Sequence, residues 1–131
     1  MSNRRRPGLL NIYRSEFLHS PVWFARRDRW FTEEASFGRV LACAGCGRAA
    51  SKAQLELHHL DYVGVVLDQG RWQALETHED LVPMHPYCHD LLHRLLDRDA
   101  VLSRNRTRRA ASDLALERLR RKLQPAEGAS S

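Results

Sequence analysis

The chain has 131 residues, enough for one modest hydrophobic core but too few for separate catalytic and recognition domains. Its formal net charge is +5, and the excess of arginine leaves two interpretations open, a nucleic-acid partner or a solvated basic surface. No apolar run could span a bilayer and residues 1–10 lack the apolar segment of a signal peptide, so we expect a soluble cytoplasmic protein without a membrane partner.

The N-terminal part is predicted to hold a basic arm and one long helix. The arm covers residues 1–17, and a short helical turn could form within residues 9–18. Ser20 is a good N-cap and Pro21 fits the first helical position, so we expect a helix that stops near Gly38. Its tryptophans repeat at helical spacing and are interpreted as core, with base stacking as the alternative. The candidates for contacts with nucleic-acid phosphates are Arg26, Arg27, Arg29 and, further along, Arg94.

The middle of the chain is predicted to run strand, loop, strand, helix. Residues 54–62 are expected to form a strand that ends in two histidines. Residues 63–77 are a predicted loop with a short pairing segment around residues 72–75. Residues 81–84 form the second expected strand, and Pro86 is placed to begin a helix whose leucines share a packing face.

The C-terminal part, residues 99–131, is predicted to be a basic helix followed by a flexible tail. The helix would be capped at Ser112 or Asp113 and has a weak amphipathic pattern. A tail that orders only conditionally is the alternative. Residues 18–98 are therefore the expected globular domain.

Three cysteines and one histidine have the spacing of a structural zinc site. Cys43 and Cys46 form a C-x-x-C turn, and His85 and Cys88 repeat that spacing downstream. Two such turns brought together would complete a tetrahedral site, and zinc there would contribute folding free energy directly. Two alternatives remain: three buried reduced cysteines, or a site weakened because His85 turns away.

Four further histidines suggest a second metal site beside a proton acceptor. His89 and His93 are an i, i+4 pair, so both imidazoles can reach one cation. His58 and His59 are adjacent on a predicted strand, so one can bind a metal while the other faces a substrate. A neutral imidazole is suited to accept a proton from water at physiological pH. The histidines that match neither set are expected at the surface: His19 and His78.

In combination, these motifs resemble those of the HNH endonucleases, the ββα-metal or His-Me finger nucleases, in their small phage and bacterial form. The shared pattern is C-x-x-C, then HH, then D-L-V-P-x-x-x-x-C-H-x-x-x-H, and the upstream FLHSPVW is similar to the family's Y-L-x-S-x-x-W helix. The likeness covers residues 18–96. It implies an α+β fold with a small ββα-metal core, a zinc knuckle and flanking helices.

The resemblance implies a metal-dependent enzyme that nicks or cuts DNA. His59 would be the general base, and a catalytic cation (Mg²⁺, Mn²⁺, Ni²⁺ or Zn²⁺) would be bound by His58, His89 and His93, in addition to the structural Zn²⁺. Asp80 completes the catalytic set with His59 and His89. It could accept a hydrogen bond from its loop or from His59 and so hold a productive tautomer.

Two departures from the family pattern leave a rival function open. Asp80 stands where the family usually has asparagine, and His85 stands where it usually has the third zinc cysteine. The rival is a non-catalytic zinc-knuckle module that binds nucleic acid or protein. Such a module would not need the four histidines, which favours the nuclease. Any sequence specificity would come from residues 63–77, the termini or a protein partner, and the oligomeric state is open.

Overall fold

The computed structural model describes residues 15–98 and 107–124, which form an α+β fold as predicted. Residues 15–18 are helical, in agreement with the expected turn, while most of the basic arm and the flexible tail lie outside the described residues. Among the described residues, none of the helices has the length and apolarity needed to cross a membrane. In chain order the elements are α1 (Pro21–Ser36), β1 (Glu56–His59), β2 (Val65–Asp68), β3 (Arg71–Ala74), β4 (Leu81–Met84), α2 (Pro86–Arg98) and α3 (Arg108–Leu123).

The α1 helix begins and ends where the sequence signals predict. The hydroxyl of Ser20 accepts a hydrogen bond from the backbone N–H of Trp23 at 3.2 Å, and Pro21 occupies the first turn. The chain leaves the helix through Gly38, whose φ of +73° is a conformation that glycine adopts readily. Trp23 and Trp30 are 5 % and 2 % exposed, which confirms their interpretation as core residues.

Strands β1 and β4 pair antiparallel and precede α2, so the expected order of two strands and a helix is present. His58 lies opposite Val82 and His59 opposite Leu81. The hydrogen bond from Leu60 N–H to the Asp80 carbonyl, 2.8 Å long, extends this ladder by one step. β4 covers the predicted residues 81–84. The apolar run ends at Met84, and α2 starts two residues later at Pro86.

The region predicted as a loop, residues 63–77, contains a second small sheet. Strands β2 and β3 form a hairpin in which Asp68 pairs with Arg71. Gln69 and Gly70 between them have φ angles of 49° and 76°, which is the pair of positive values that a two-residue hairpin turn requires. The short pairing segment expected around residues 72–75 therefore corresponds to β3, one of the two strands of this hairpin.

The α3 helix starts earlier than the sequence suggested. Its N-cap is Thr107, whose hydroxyl accepts a hydrogen bond from Ala110 N–H at 3.1 Å, so the predicted caps at Ser112 and Asp113 are wrong. Ser112 is 0 % exposed and lies inside the helix, where its hydroxyl contacts another element. The buried residues of α3 belong to the same core as the strands and α2: Ala115, Leu116 and Leu119.

The position of this cap can be tested by unfolding measurements. Thr107→Ala is expected to lower the free energy of unfolding by about 1 kcal/mol, because an N–H of the first turn loses its acceptor. Asp113→Ala removes only an exposed ion pair to Arg109 and should have less than half that effect. Urea unfolding of both variants measures the difference. If Asp113→Ala lowered the free energy of unfolding more than Thr107→Ala does, the helix would have to start at a later residue.

Candidate functional site

The knuckle that carries the first two cysteines is a tight turn closed by backbone hydrogen bonds. Cys43 N–H donates to the Arg48 carbonyl at 2.9 Å, and Gly47 N–H donates to the Cys43 carbonyl at 2.9 Å. Gly47 has a φ of +78°, so glycine suits this position. The turn brings Cys46 back towards Cys43 and leaves both sulfurs on one side.

The knuckle meets the start of α2 in a compact cluster of four ligand atoms. The ligand atoms of Cys43, Cys46, His85 and Cys88 all lie within 4.8 Å of one another. Cys46 Sγ is 3.4 Å from His85 Nδ1, so His85 does not turn away, and the three cysteines are free thiols. Three sulfurs and one imidazole nitrogen are a usual ligand set for structural zinc. The cluster is therefore positioned to bind a metal ion, as predicted.

The two buried thiols of this cluster have different acidities in the metal-free chain. Burial alone would raise the pKa of Cys43, but the backbone N–H groups of Cys46, His85 and Gly45 outweigh it and lower that pKa to about 7. Burial and the neighbouring Cys43 raise the pKa of Cys88 to about 12. A bound cation would favour the thiolate form of both sulfurs.

The knuckle is tied to the rest of the fold through its carbonyl and amide groups. Ala44 N–H donates to the Pro83 carbonyl of β4 at 2.7 Å. Arg120 Nε donates to the Ala44 carbonyl at 2.8 Å, and Gln124 Nε2 donates to the Gly45 carbonyl at 2.6 Å. A Cβ added at Gly45 would lie only 3.1 Å from Cys88 Cβ, so a larger residue here would press on the cluster unless its neighbours shifted by a few tenths of an ångström.

A second cluster forms where β1 faces α2. His89 and His93 lie one helical turn apart, and His58 reaches them from the strand, so the ligand atoms of the three histidines lie within 4.8 Å of one another. His58 Nδ1 is 3.2 Å and His93 Nε2 is 3.0 Å from His89 Nε2. Three imidazoles that converge in this way could hold one divalent cation.

The outer nitrogens of two of these imidazoles also have partners. His89 Nδ1 lies 2.8 Å from Glu56 Oε1, and His58 Nε2 lies 3.4 Å from the hydroxyl of Ser112. Such contacts fix the tautomer and leave the inner nitrogens directed at the cluster. Burial, followed by the nearby His89, holds the pKa of His58 well below its ordinary value, so the ring is neutral and able to bind a metal.

His59 points away from this cluster into an aromatic part of the core. Its ring is 2 % exposed and stacks on Tyr62, with 4.4 Å between ring centroids. Its Nε2 atom lies 2.7 Å from Glu76 Oε2. Burial lowers the pKa of His59, and the Glu76 carboxylate opposes that effect only in part.

Glu76 is the residue of this site that sequence reasoning missed. A single glutamate in a predicted loop has no spacing that relates it to the histidines. The β2–β3 hairpin returns the chain beside Gly64, where a Cβ would lie 2.5 Å from the backbone nitrogen of Glu76. The close approach at this glycine is the only local signal, and it becomes meaningful only once the hairpin is known.

Asp80 lies at the end of the 3₁₀ turn before β4 and has two partners. Thr77 N–H donates to its Oδ2 at 3.1 Å, and Arg109 Nη1 donates to its Oδ1 at 2.9 Å. The loop contact is one of the two that were expected. None of the hydrogen bonds between described residues joins Asp80 to the ring of His59.

The candidate phosphate-binding arginines are placed in different environments. Arg26 is 4 % exposed and donates to the backbone carbonyl of Glu76 at 3.0 Å, and its Nε lies 4.0 Å from Glu76 Oε1, so the guanidinium is buried beside a buried carboxylate. Arg27 is half-buried and donates to the Leu55 carbonyl at 2.8 Å. Arg29 and Arg94 are exposed, and Arg94 pairs with Asp90 at 3.0 Å.

The two remaining histidines, His19 and His78, were expected at the surface, and the structure confirms this for His19 alone. His19 is exposed, as predicted. The side chain of His78 is only 12 % exposed, stacks on Trp30 at 4.6 Å and has its Nε2 atom 2.7 Å from Glu34 Oε1. His78 therefore joins α1 to the turn before β4, and the surface prediction for it is wrong.

Zinc binding to the cysteine cluster is expected to release protons and to strengthen as the pH rises. Cys88, with its pKa raised to about 12, is protonated in the metal-free chain at physiological pH, so a metal must displace its proton. Calorimetric titration with Zn²⁺ in two buffers of different ionisation enthalpy measures the protons released. Affinity that stays constant between about pH 6 and pH 8 would contradict this assignment of the ligands.

No protein-family model matches the chain, and no curated protein or solved structure matches it either.

Proposed function

We propose that the protein is a metal-dependent endonuclease of the HNH type that hydrolyses DNA phosphodiester bonds. The observation that carries the proposal is the placement of two metal-ligand clusters at one helix, α2. The first cluster joins its residue Cys88 to the knuckle, and the second joins the next residue, His89, to His58 of β1. A zinc-binding module alone would require only the cluster of Cys43, Cys46, His85 and Cys88. The convergence of three further imidazoles supports a catalytic role in addition to a structural zinc site.

The three converging histidines are the proposed holders of the catalytic cation. His58, His89 and His93 would present their inner nitrogens to it, while Glu56 and Ser112 orient two of the rings from outside. When bound, a divalent cation there supplies Lewis-acid stabilisation of the charge that develops on the phosphate and the leaving oxygen. Imidazole ligands suit Zn²⁺ and Ni²⁺, and Mn²⁺ and Mg²⁺ are further candidates.

His59 is the proposed general base. It follows the ligand His58 directly in the chain, and its Nε2 edge is occupied by Glu76, which leaves Nδ1 as the nitrogen that can take a proton from water. Asp80 would act indirectly, by holding the turn that leads into β4 and by pairing with Arg109.

DNA is the proposed substrate because the surface offers cations and the proposed chemistry acts on phosphodiesters. The net charge is +5, and exposed basic side chains include Arg29, Arg94, Arg121 and Lys122. Contacts of this kind bind the phosphate backbone with strong salt dependence and little discrimination between sequences. Any specificity would need a protein partner or parts of the chain outside the described residues.

One observation favours a second candidate, a zinc-knuckle module that binds nucleic acid or protein without cutting. The ring of His59 is 2 % exposed, and a general base needs contact with water. In this alternative, His59 and Glu76 are a buried polar pair that joins β1 to the hairpin segment. Cleavage assays distinguish the two candidates.

Purified protein is expected to nick supercoiled plasmid when Mg²⁺, Mn²⁺, Ni²⁺ or Zn²⁺ is added. His59→Ala should slow nicking by about 100- to 10,000-fold, because the attacking water loses its proton acceptor. The matched control is His19→Ala, which removes an exposed imidazole and should cut at the wild-type rate. Tight plasmid binding without cleavage by any of these metals would favour the binding module.

The cation site can be separated from the zinc site by a single substitution. His93→Ala removes one of the three converging imidazoles, so the chain should lose its second bound metal and its nicking activity. The cysteine cluster should retain one zinc per chain, which metal analysis of the purified variant measures. Loss of both metals from this variant would contradict two independent sites.

A further inference from the structure

We propose that Glu76 is the positioning residue of the reaction and that its carboxylate holds His59 in the tautomer that accepts the proton. This role was expected of Asp80 from the sequence. The inference deepens the proposed function and rests on it.

The contact between the two side chains is short and fully enclosed. His59 Nε2 and Glu76 Oε2 are 2.7 Å apart, and the two side chains are 1 % and 0 % exposed. A hydrogen bond to a carboxylate is among the strong ones in proteins, and the low dielectric around two buried side chains strengthens it further. The ring of His59 therefore has one preferred orientation.

This orientation decides which nitrogen can act as the base. A carboxylate only accepts hydrogen bonds, so Nε2 must carry the proton in its contact with Glu76. The lone pair of the neutral ring is then on Nδ1. When Nδ1 takes a proton from water, the imidazolium forms beside an anion that is already in place and needs no rearrangement.

The aromatic neighbours fix the plane of the ring but cannot choose its tautomer. Tyr62 stacks on His59 with an interplanar angle of 10°, and Trp23 lies on the ring at 4.7 Å between centroids. These contacts are apolar and would be the same for either tautomer. Within the part of the chain that the structure describes, Glu76 is the group whose hydrogen bond to the ring distinguishes the two nitrogens.

Arg26 keeps this carboxylate in place. Its Nη2 and Nε atoms donate to the backbone carbonyl of Glu76 at 3.0 Å and 3.3 Å, and Nε lies 4.0 Å from Glu76 Oε1. The guanidinium is buried as well, so it compensates the charge of Glu76 without competing for Oε2. Among residues 15–98 and 107–124, Oε1 has no hydrogen-bond partner, so Oε2 is the carboxylate oxygen that contacts His59.

The decisive experiment compares Glu76→Gln in the wild-type chain with the same change in a His59→Ala chain. Nicking rates are measured with the metal that gives the highest wild-type rate. In the wild-type chain, Glu76→Gln should lower kcat by about 100-fold with little change in KM. The amide offers an N–H donor as well as an oxygen acceptor, so it no longer selects one tautomer, and the charge beside the base is lost. In the His59→Ala chain the same substitution should have no further effect, because the ring on which Glu76 acts is absent.

Two further variants complete the experiment, one as a control and one as an alternative test variant. Glu79→Gln neutralises an exposed carboxylate three residues away and should leave kcat unchanged. Glu76→Asp retains the charge beside Arg26 but withdraws the carboxylate from Nε2 by one methylene, so it is the test variant if Glu76→Gln does not fold. Its kcat should also fall in the wild-type chain and stay constant in the His59→Ala chain.

Three outcomes would overturn the inference. If Glu76→Gln cuts at the wild-type rate, the carboxylate does not position the base. If it lowers kcat equally in both backgrounds, Glu76 supports the fold rather than His59. If the wild-type protein cuts with none of the metals, the proposed function fails and the role of Glu76 fails with it. This result is distinct from the first two, because those require an active wild-type protein.

Discussion

Successive side chains of a β-strand point to opposite faces, and this constraint sends the neighbours His58 and His59 in opposite directions. β1 is buried over most of its length, so each imidazole enters a different part of the core. His58 meets α2 and α3, whereas His59 meets α1 and the segment after the hairpin. Both faces of this two-stranded sheet are buried, so α2 and α3 cover the face of His58 and α1 covers the face of His59.

Much of the fold and of the candidate site could be predicted because its signals are local. The C-x-x-C turn, the Ser20 cap and the i, i+4 histidines each depend on residues within a few positions of one another, and the structure brings the Cys3His set together as expected. β4 was predictable for the same reason, since its apolar run ends at Met84, two residues before the helix-starting Pro86. The start of α3 was not, because Thr107, Ser112 and Asp113 are all capable caps. Tertiary burial of Ser112 decides between them.

The parts that sequence reasoning did not find depend on contacts between distant segments. Glu76 reaches His59 across 17 positions, and only the hairpin turn at Gln69 and Gly70 makes that possible. Gln-Gly is less typical of such turns than Asn-Gly, so the hairpin itself gave a weak signal. Arg26 was a candidate for phosphate contacts, and the local sequence gives no sign that its guanidinium lies beside the buried Glu76, 50 positions later. Each of these placements follows from electrostatic compensation inside the core.

The α3 helix touches both metal-ligand clusters at once. Near its start, Ser112 contacts His58, and near its end Arg120 and Gln124 bind the carbonyl groups of the knuckle. Its 16 residues span about 24 Å. Synthesis proceeds from the N-terminus, so every cysteine and histidine ligand is made before this helix. The two clusters therefore receive their final cover together, from the last helix of the fold to be synthesised.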